Sequence, residues 1–209
     1  MNVKTALGKL AEIRTGYSFR TRIENDPLGT VRVLQISDVR ADSGIDPAGL
    51  PLVQWPVATA PPLLKAGDVV MPARGDHYET VTIKQVDQPM VASGPLFVMT
   101  PESHAVIPGY LCWYLQQRYA QSFILKNRAG TNIPSLSRKA LARLPVAVPA
   151  LDVQKKLVEL SKLWKKQQLL VQRLLINRQQ LLDGISDKLL ESYVMSSVKQ
   201  QTLNAAVWA

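Results

Sequence analysis

The sequence predicts an α+β fold. A globular domain of short strands and long loops occupies residues 1–149, one long coiled-coil α-helix follows over 150–193, and a tail closes the chain over 194–209. Three observations predict this. Residues 151–193 contain no proline and carry apolar side chains at alternating steps of four and three. Short β-like runs are spread through the first half, bounded by proline and glycine. The apolar fraction, 46% of 209 residues, is enough for a core in a chain of one or two domains.

The β-like runs are residues 31–36, 68–71, 79–86 and 96–100. The stretch 79–86 alternates, with Val81 and Ile83 on one face and Thr80, Thr82 and Lys84 on the other. Turns fill the gaps at Asp26-Pro27-Leu28-Gly29, Asp46-Pro47-Ala48-Gly49, Pro61-Pro62 and Lys65-Ala66-Gly67-Asp68. Loops are therefore long relative to strands, and long loops on a rigid frame are where binding residues sit. A helix is predicted over 108–126, with Pro108 in its first turn. Its i,i+4 row Leu111, Leu115, Tyr119 and Phe123 should face the core. Gly130 permits positive φ or close backbone approach, and Ser137 is an N-cap for a short helix through Arg143. Leu144-Pro145-Val146-Ala147-Val148-Pro149 must be extended, because proline forbids a continuing helix and restricts the residue before it.

The seam of the long helix runs through Val153, Leu157, Leu160, Trp164, Val171, Leu174, Leu181 and Ile185, and in the same register through Gln167 and Arg178. Polar seam residues weaken a coiled coil but fix its register. About forty residues at 1.5 Å each make a rod of roughly 60 Å. Such a rod needs an apolar partner face, and the chain offers no second helix of that length. The expected partner helix therefore lies on another chain. Leu163, Leu169, Leu170, Leu175, Ile176 and Leu182 add apolar surface beyond the seam, so more than one contacting helix is expected. Gly184 weakens the helix or bends it. The tail carries no strong pattern, and Val207 and Trp208 are candidates to dock back.

Several function classes are excluded by composition. A single cysteine, Cys112, rules out an intrachain disulfide framework and a cysteine-based metal site; it sits among Leu111, Trp113 and Leu115, as a buried thiol would. His77 and His104 lack metal-ligand spacing, so no metal is expected. No GxxxxGK[ST] or GxGxxG stretch occurs, no cofactor is expected, and no catalytic residue stands out. No signal-like or membrane-spanning run is present, so the expected location is cytoplasmic.

The net charge is +9 with a pI near 9.8, and its placement is uneven. No acidic residue lies between Glu102 and Asp152, an interval holding Arg118, Lys126, Arg128, Arg138, Lys139 and Arg143. Arg14, Arg20, Arg22, Arg32 and Arg40 form a second basic group. Unbalanced positive charge over such intervals suits a polyanion, of which DNA or RNA is the usual one; the alternative is a solvated face on a basic protein. Loop residues able to hold phosphates or read base edges are Arg20, Arg22, Arg74, His77, Tyr78, Lys126, Arg128, Thr131 and Asn132. The alternative for Arg74 is an ion pair with Asp68 or Asp76; for Thr131 and Asn132 it is bracing the loop before Pro134. Tyr17-Ser18-Phe19, ahead of Arg20, reads as a turn able to enter a groove.

Leu7-Gly8, Ile13-Arg14-Thr15-Gly16, Val33-Leu34-Gln35-Ile36-Ser37-Asp38-Val39 and Leu64-Lys65-Ala66-Gly67-Asp68-Val69-Val70 with Arg74-Gly75 follow one another in the first half. Gly130-Thr131-Asn132-Ile133-Pro134-Ser135-Leu136 comes next, followed by Leu144-Pro145-Val146, Pro149, Leu151 and Gln154. In this order the segments, the last series above all, resemble the specificity (S) subunit of type I restriction-modification enzymes, which implies double-stranded DNA as the partner. The resemblance implies that residues 1–149 are a target recognition domain and 150–193 a spacer helix. The usual family member carries two of each, so this chain looks like a half-length form. That form implies an antiparallel homodimer reading a palindromic bipartite site. Methylation and cleavage would then belong to other subunits, a DNA methyltransferase and, where one exists, a restriction subunit, making this chain non-catalytic. Leu163, Leu170 and Leu175 are the expected methyltransferase-contacting residues. The rival readings are a coiled-coil adaptor without a DNA role and a self-sufficient nuclease.

Overall fold

The structure, a computed structural model, describes residues 4–40, 44–56, 59–102 and 104–206, with side chains as far as Tyr193. The chain divides into two units, Met1–Ser161 and Lys162–Ala209. The division falls inside the long helix rather than at residue 150, because the helix's first turns pack into the globular unit.

In chain order the elements are β1 (Lys4–Ala6), β2 (Ala11–Thr15), β3 (Val31–Leu34), β4 (Leu52–Val53), β5 (Val69–Pro72), β6 (Val81–Thr82), β7 (Met90–Ala92) and β8 (Leu96–Pro101), then α1 (Pro108–Leu115), α2 (Arg118–Asn127), β9 (Arg128–Ala129), β10 (Ser135–Leu136), α3 (Arg138–Ala142), β11 (Pro145–Ala147) and α4 (Leu151–Ala206). β2, β8, β5 and β6 form an antiparallel sheet in the order β2-β8-β5-β6. β4, β3 and β7 form a mixed sheet in which β3 and β7 run parallel.

Period-two alternation sorts the strand side chains into layers. Val69, Met71, Phe97 and Met99 face a core shared with Leu111, Leu115, Ile124 and Leu141 of the helices. Val70, Leu96 and Val98 face the other way and meet Leu34, Met90 and Ala92 of the mixed sheet. Val31, Val33 and Val91 bury the far side of that sheet against Phe19, Ile23, Val53 and Trp55. The alternation of 79–86 holds for Val81 and Ile83, but Thr80 is buried too, beneath α1. Only Val81–Thr82 pairs as a strand.

The turn into β5 is closed by a carboxylate. Asp68, 1% exposed, accepts from the Lys65 N–H at 2.9 Å and the Thr100 hydroxyl at 2.7 Å, and faces Arg14 at 3.5 Å. This is why leucine, glycine and aspartate follow one another in 64–68: Leu64 enters the core and Gly67, at φ +94°, makes the turn.

The helix expected over 108–126 is two helices, broken at Gln116 and Gln117. Gln117 has extended backbone (ψ 150°). Side-chain amides take over carbonyls at the break: Gln117 donates to the Trp113 oxygen at 2.8 Å and Gln121 to the Leu115 oxygen at 2.7 Å. The break shifts the buried row. Ala120 and Ile124 enter the core, whereas Tyr119 is exposed beneath the Lys4 ammonium, 4.3 Å from its ring centre, and Phe123 is half-buried. Cys112 is half-buried, its thiol donating to the Thr80 carbonyl at 3.3 Å.

The extended strap before the long helix is β11, paired antiparallel with β1, so the start and end of the globular unit are tied together. The hydroxyls of Tyr110 and Tyr114 donate to the Ala147 and Pro145 carbonyls at 2.7 and 3.0 Å, fastening α1 to the strap. α4 then runs 56 residues, through Gly184 and past the expected end at Tyr193. No glycine or proline occurs between 185 and 206 to stop it. The expected docking of Val207 and Trp208 lies outside the described residues.

Candidate nucleic-acid interface

Two loops are stapled into one surface by main-chain contacts. β9 and β10 pair to close the loop 130–134, with Gly130 at φ +102°. The Pro134 carbonyl accepts from the Gly75 N–H at 2.9 Å, and the Leu136 N–H donates to the Ala73 carbonyl at 2.7 Å. Arg74 consequently sits opposite Ser135. Arg74, His77, Thr131 and Asn132 are all exposed on these two loops.

A third loop, 18–24, completes the surface. It is held at its base by the Gly16 N–H on the Leu96 carbonyl and the Tyr17 N–H on the Ala92 carbonyl. Gly16 is required there: a Cβ would lie 2.1 Å from the Ser93 carbonyl oxygen. The aromatics of the loop face each other, Tyr17 lying 4.9 Å from Phe19 and 4.6 Å from Trp55 between ring centres. They stiffen the loop rather than project from it.

Between loop 18–24 and the stapled pair lies an open cavity of about 650 Å³ lined by Arg22 and Arg74, with Ser18, Gln35, Ser37 and Ser135 among its polar groups. Among the described residues its lining holds two arginines and no carboxylate. On the other side of the same loop is a cavity of about 410 Å³ that Arg20 and Arg22 share with Glu24 and Asp26. Only the first has the sign that attracts phosphate.

The structure thus gathers Arg22 and Arg74 at one cavity, with Arg20 across the loop, and puts His77, Thr131 and Asn132 on the stapled loops. It separates Lys126, which lines a different cavity on α2 with Arg118 and Tyr119. Tyr78 corrects expectation. It is 2% exposed, and its hydroxyl donates to the Pro134 carbonyl at 3.4 Å. Burial raises its pKa, opposed by the nearby Arg128 guanidinium. Arg128 is half-buried against Asp76 at 3.6 Å. Both therefore brace the loops. Of Arg74's two expected acidic partners, Asp68 is taken by Arg14 and Asp76 by Arg128.

The second basic group, Arg14 to Arg40, is also partly consumed by the fold. Arg14 donates to the Pro62 and Leu63 carbonyls as well as meeting Asp68. Arg32 donates to Gln88 and to the Leu50 and Ala48 carbonyls. The sequence reading missed Ser18, Gln35, Ser37 and Ser135 as cavity residues; small polar side chains in loops carry no periodic signal.

On α4, Val153, Leu160, Trp164, Val171, Leu174, Leu181 and Ile185 are exposed, as are Leu163, Leu170 and Leu175. Leu157 differs, packing with Val158 against the globular core of its own chain. Among the described residues no helix is long and apolar enough to cross a membrane.

No family model matches the chain, and no curated protein matches it in sequence. Solved structures match it in fold. One is the S subunit of a type I restriction-modification system from M. genitalium: TM-score 0.53, 10% identity, covering 78% of this chain and 39% of that one. A second belongs to a study of complex assembly and conformational transition of the type I R-M system: TM-score 0.61, 17% identity, 81% and 40%. A third is the HsdS subunit of Thermoanaerobacter tengcongensis: TM-score 0.56, 16% identity, 80% and 38%. The class defined here is an α+β head of small sheets leading into one long C-terminal helix. That fold is the fold of type I specificity subunits, and this chain spans about two fifths of the length of the chains it matches.

Proposed function

We propose that this chain is the DNA-recognition subunit of a type I restriction-modification complex, without catalysis of its own. In this reading residues 1–149 recognise the target, Arg22 and Arg74 hold phosphates, and His77, Thr131 and Asn132 reach base edges. Residues 150–193 pair with a second copy, antiparallel, so that the homodimer reads a palindromic bipartite site. The rest of the α4 surface, with Leu163, Leu170 and Leu175, receives a DNA methyltransferase subunit and, where one exists, a restriction subunit.

The observation that carries the proposal is a coincidence of fold and charge. A head-and-helix unit matching type I S subunits displays an arginine-lined, carboxylate-free cavity beside two stapled loops. The test is the adenine methylation pattern of the host genome with and without the gene. Loss of a palindromic split motif is expected. An unchanged pattern, with the chain still bound to protein partners and showing no DNA affinity at low salt, would instead favour an adaptor.

A further inference from the structure

We infer that two copies of α4 pair antiparallel in one register, with the twofold axis between Gln172 and Arg173. The inference rests on the dimer reading above and adds the alignment, which the chain's own residues select. In an antiparallel coiled coil each a-position residue meets a d-position residue of the partner. The seam's 4,3 steps place Leu157, Trp164, Val171, Arg178 and Ile185 at a, and Val153, Leu160, Gln167, Leu174 and Leu181 at d.

With the axis at 172–173, Val171 meets Leu174, Trp164 meets Leu181, and Leu160 meets Ile185. Between 160 and 185 the two polar seam residues, Gln167 and Arg178, meet each other, and the guanidinium gains an amide oxygen as acceptor. Lys188, the next seam position, falls opposite Leu157, which is taken up by its own chain's core. Sliding by one heptad destroys this. One direction sets Arg178 on Leu160 and Gln167 on Val171; the other sets Arg178 on Leu174 and Gln167 on Ile185. Each leaves a buried charge against an apolar residue, which is costly. A parallel, in-register pair sets Arg178 against Arg178.

The flanking g positions agree independently. In the inferred register Lys156 meets Glu191, an opposite-charge pair of the kind that fixes partner orientation. Lys156, Glu191, Gln167 and Arg178 are all exposed in the single chain.

The test is disulfide trapping in the full chain carrying Cys112→Ala, alongside sedimentation. Gln167→Cys and Arg178→Cys together should give an oxidised dimer, and neither alone should, since like positions lie about 16 Å apart along the axis. A dimer that traps through Arg178→Cys alone, or does not trap with both cysteines, overturns the register and leaves the dimer reading intact. A chain that sediments as a monomer throughout defeats both. As a second readout, Lys156→Glu should weaken dimerisation about threefold or more, and adding Glu191→Lys should restore it; no rescue counts against the register.

Discussion

The side-chain carbonyl of Gln154 accepts a hydrogen bond from the backbone N–H of Ile107 at 3.0 Å, inside the core. The same amide donates to the Ala105 and Pro149 carbonyls at 3.1 and 2.8 Å. A fully buried glutamine thus satisfies three main-chain groups at the start of α4. Gln154→Leu keeps the volume and orphans all three. A buried unsatisfied group costs about 1–3 kcal/mol, so the change should cost about 3 kcal/mol in urea unfolding. Lys155→Ala, one residue on and exposed, should stay within about 0.5 kcal/mol.

Asp68 is the second buried anchor. Asp68→Ala removes the acceptor of the Lys65 N–H and the Thr100 hydroxyl, while Arg14 keeps the Pro62 and Leu63 carbonyls. The expected loss is about 3 kcal/mol, since the Lys65 N–H and the Thr100 hydroxyl are left without an acceptor. Thermal unfolding of Asp68→Ala against Glu12→Ala, whose carboxylate is exposed, separates this from a general charge effect.

Alkaline pH should unfold the protein through Tyr110. Burial, with Tyr114 nearby, pushes its hydroxyl from 10 up to about 12. A group whose pKa is raised on folding contributes stability that is complete below the unfolded value and lost as pH climbs to the folded one. The stability curve should therefore fall between pH 10 and 12. Tyr110→Phe should flatten that fall and cost about 1 kcal/mol at neutral pH through the lost bond to Ala147.

DNA binding should divide the arginines into two sets. Arg22→Ala and Arg74→Ala should each weaken binding and lower the salt slope by about 1, as loss of one phosphate contact does. Arg32→Ala should lower stability and leave the slope unchanged, because its guanidinium is spent on Leu50, Ala48 and Gln88. Tyr78→Phe should leave affinity unchanged. Titration of a duplex at several salt concentrations separates these outcomes.

The long helix and the extended strap were legible because each follows from one strong signal, an unbroken 4,3 pattern and a pair of prolines. The β1 and β2 strands were not, since three to five residues carry too little pattern and their pairing partners, Pro145–Ala147 and Phe97–Pro101, are remote in sequence. The break at Gln116-Gln117 was hidden for another reason. Glutamine is a good helix former, and only its side chains' grip on the Trp113 and Leu115 carbonyls reveals the end. At the candidate site, loop placement favoured Arg22 and set aside Arg32, which lies in a β-like run. That the Arg32 guanidinium is spent inside the fold was not legible, because it depends on carbonyls brought in from distant loops.

The staples between loops 73–78 and 130–136 are backbone to backbone, Gly75 to Pro134 and Leu136 to Ala73. What hangs outward from them takes no part in holding them. The outward side chains behave like movable type in a fixed frame: each can be exchanged without resetting its neighbours. If these loops read DNA as proposed, new preferences arise at Arg74, His77, Thr131 or Asn132 by single substitutions that leave the scaffold undisturbed.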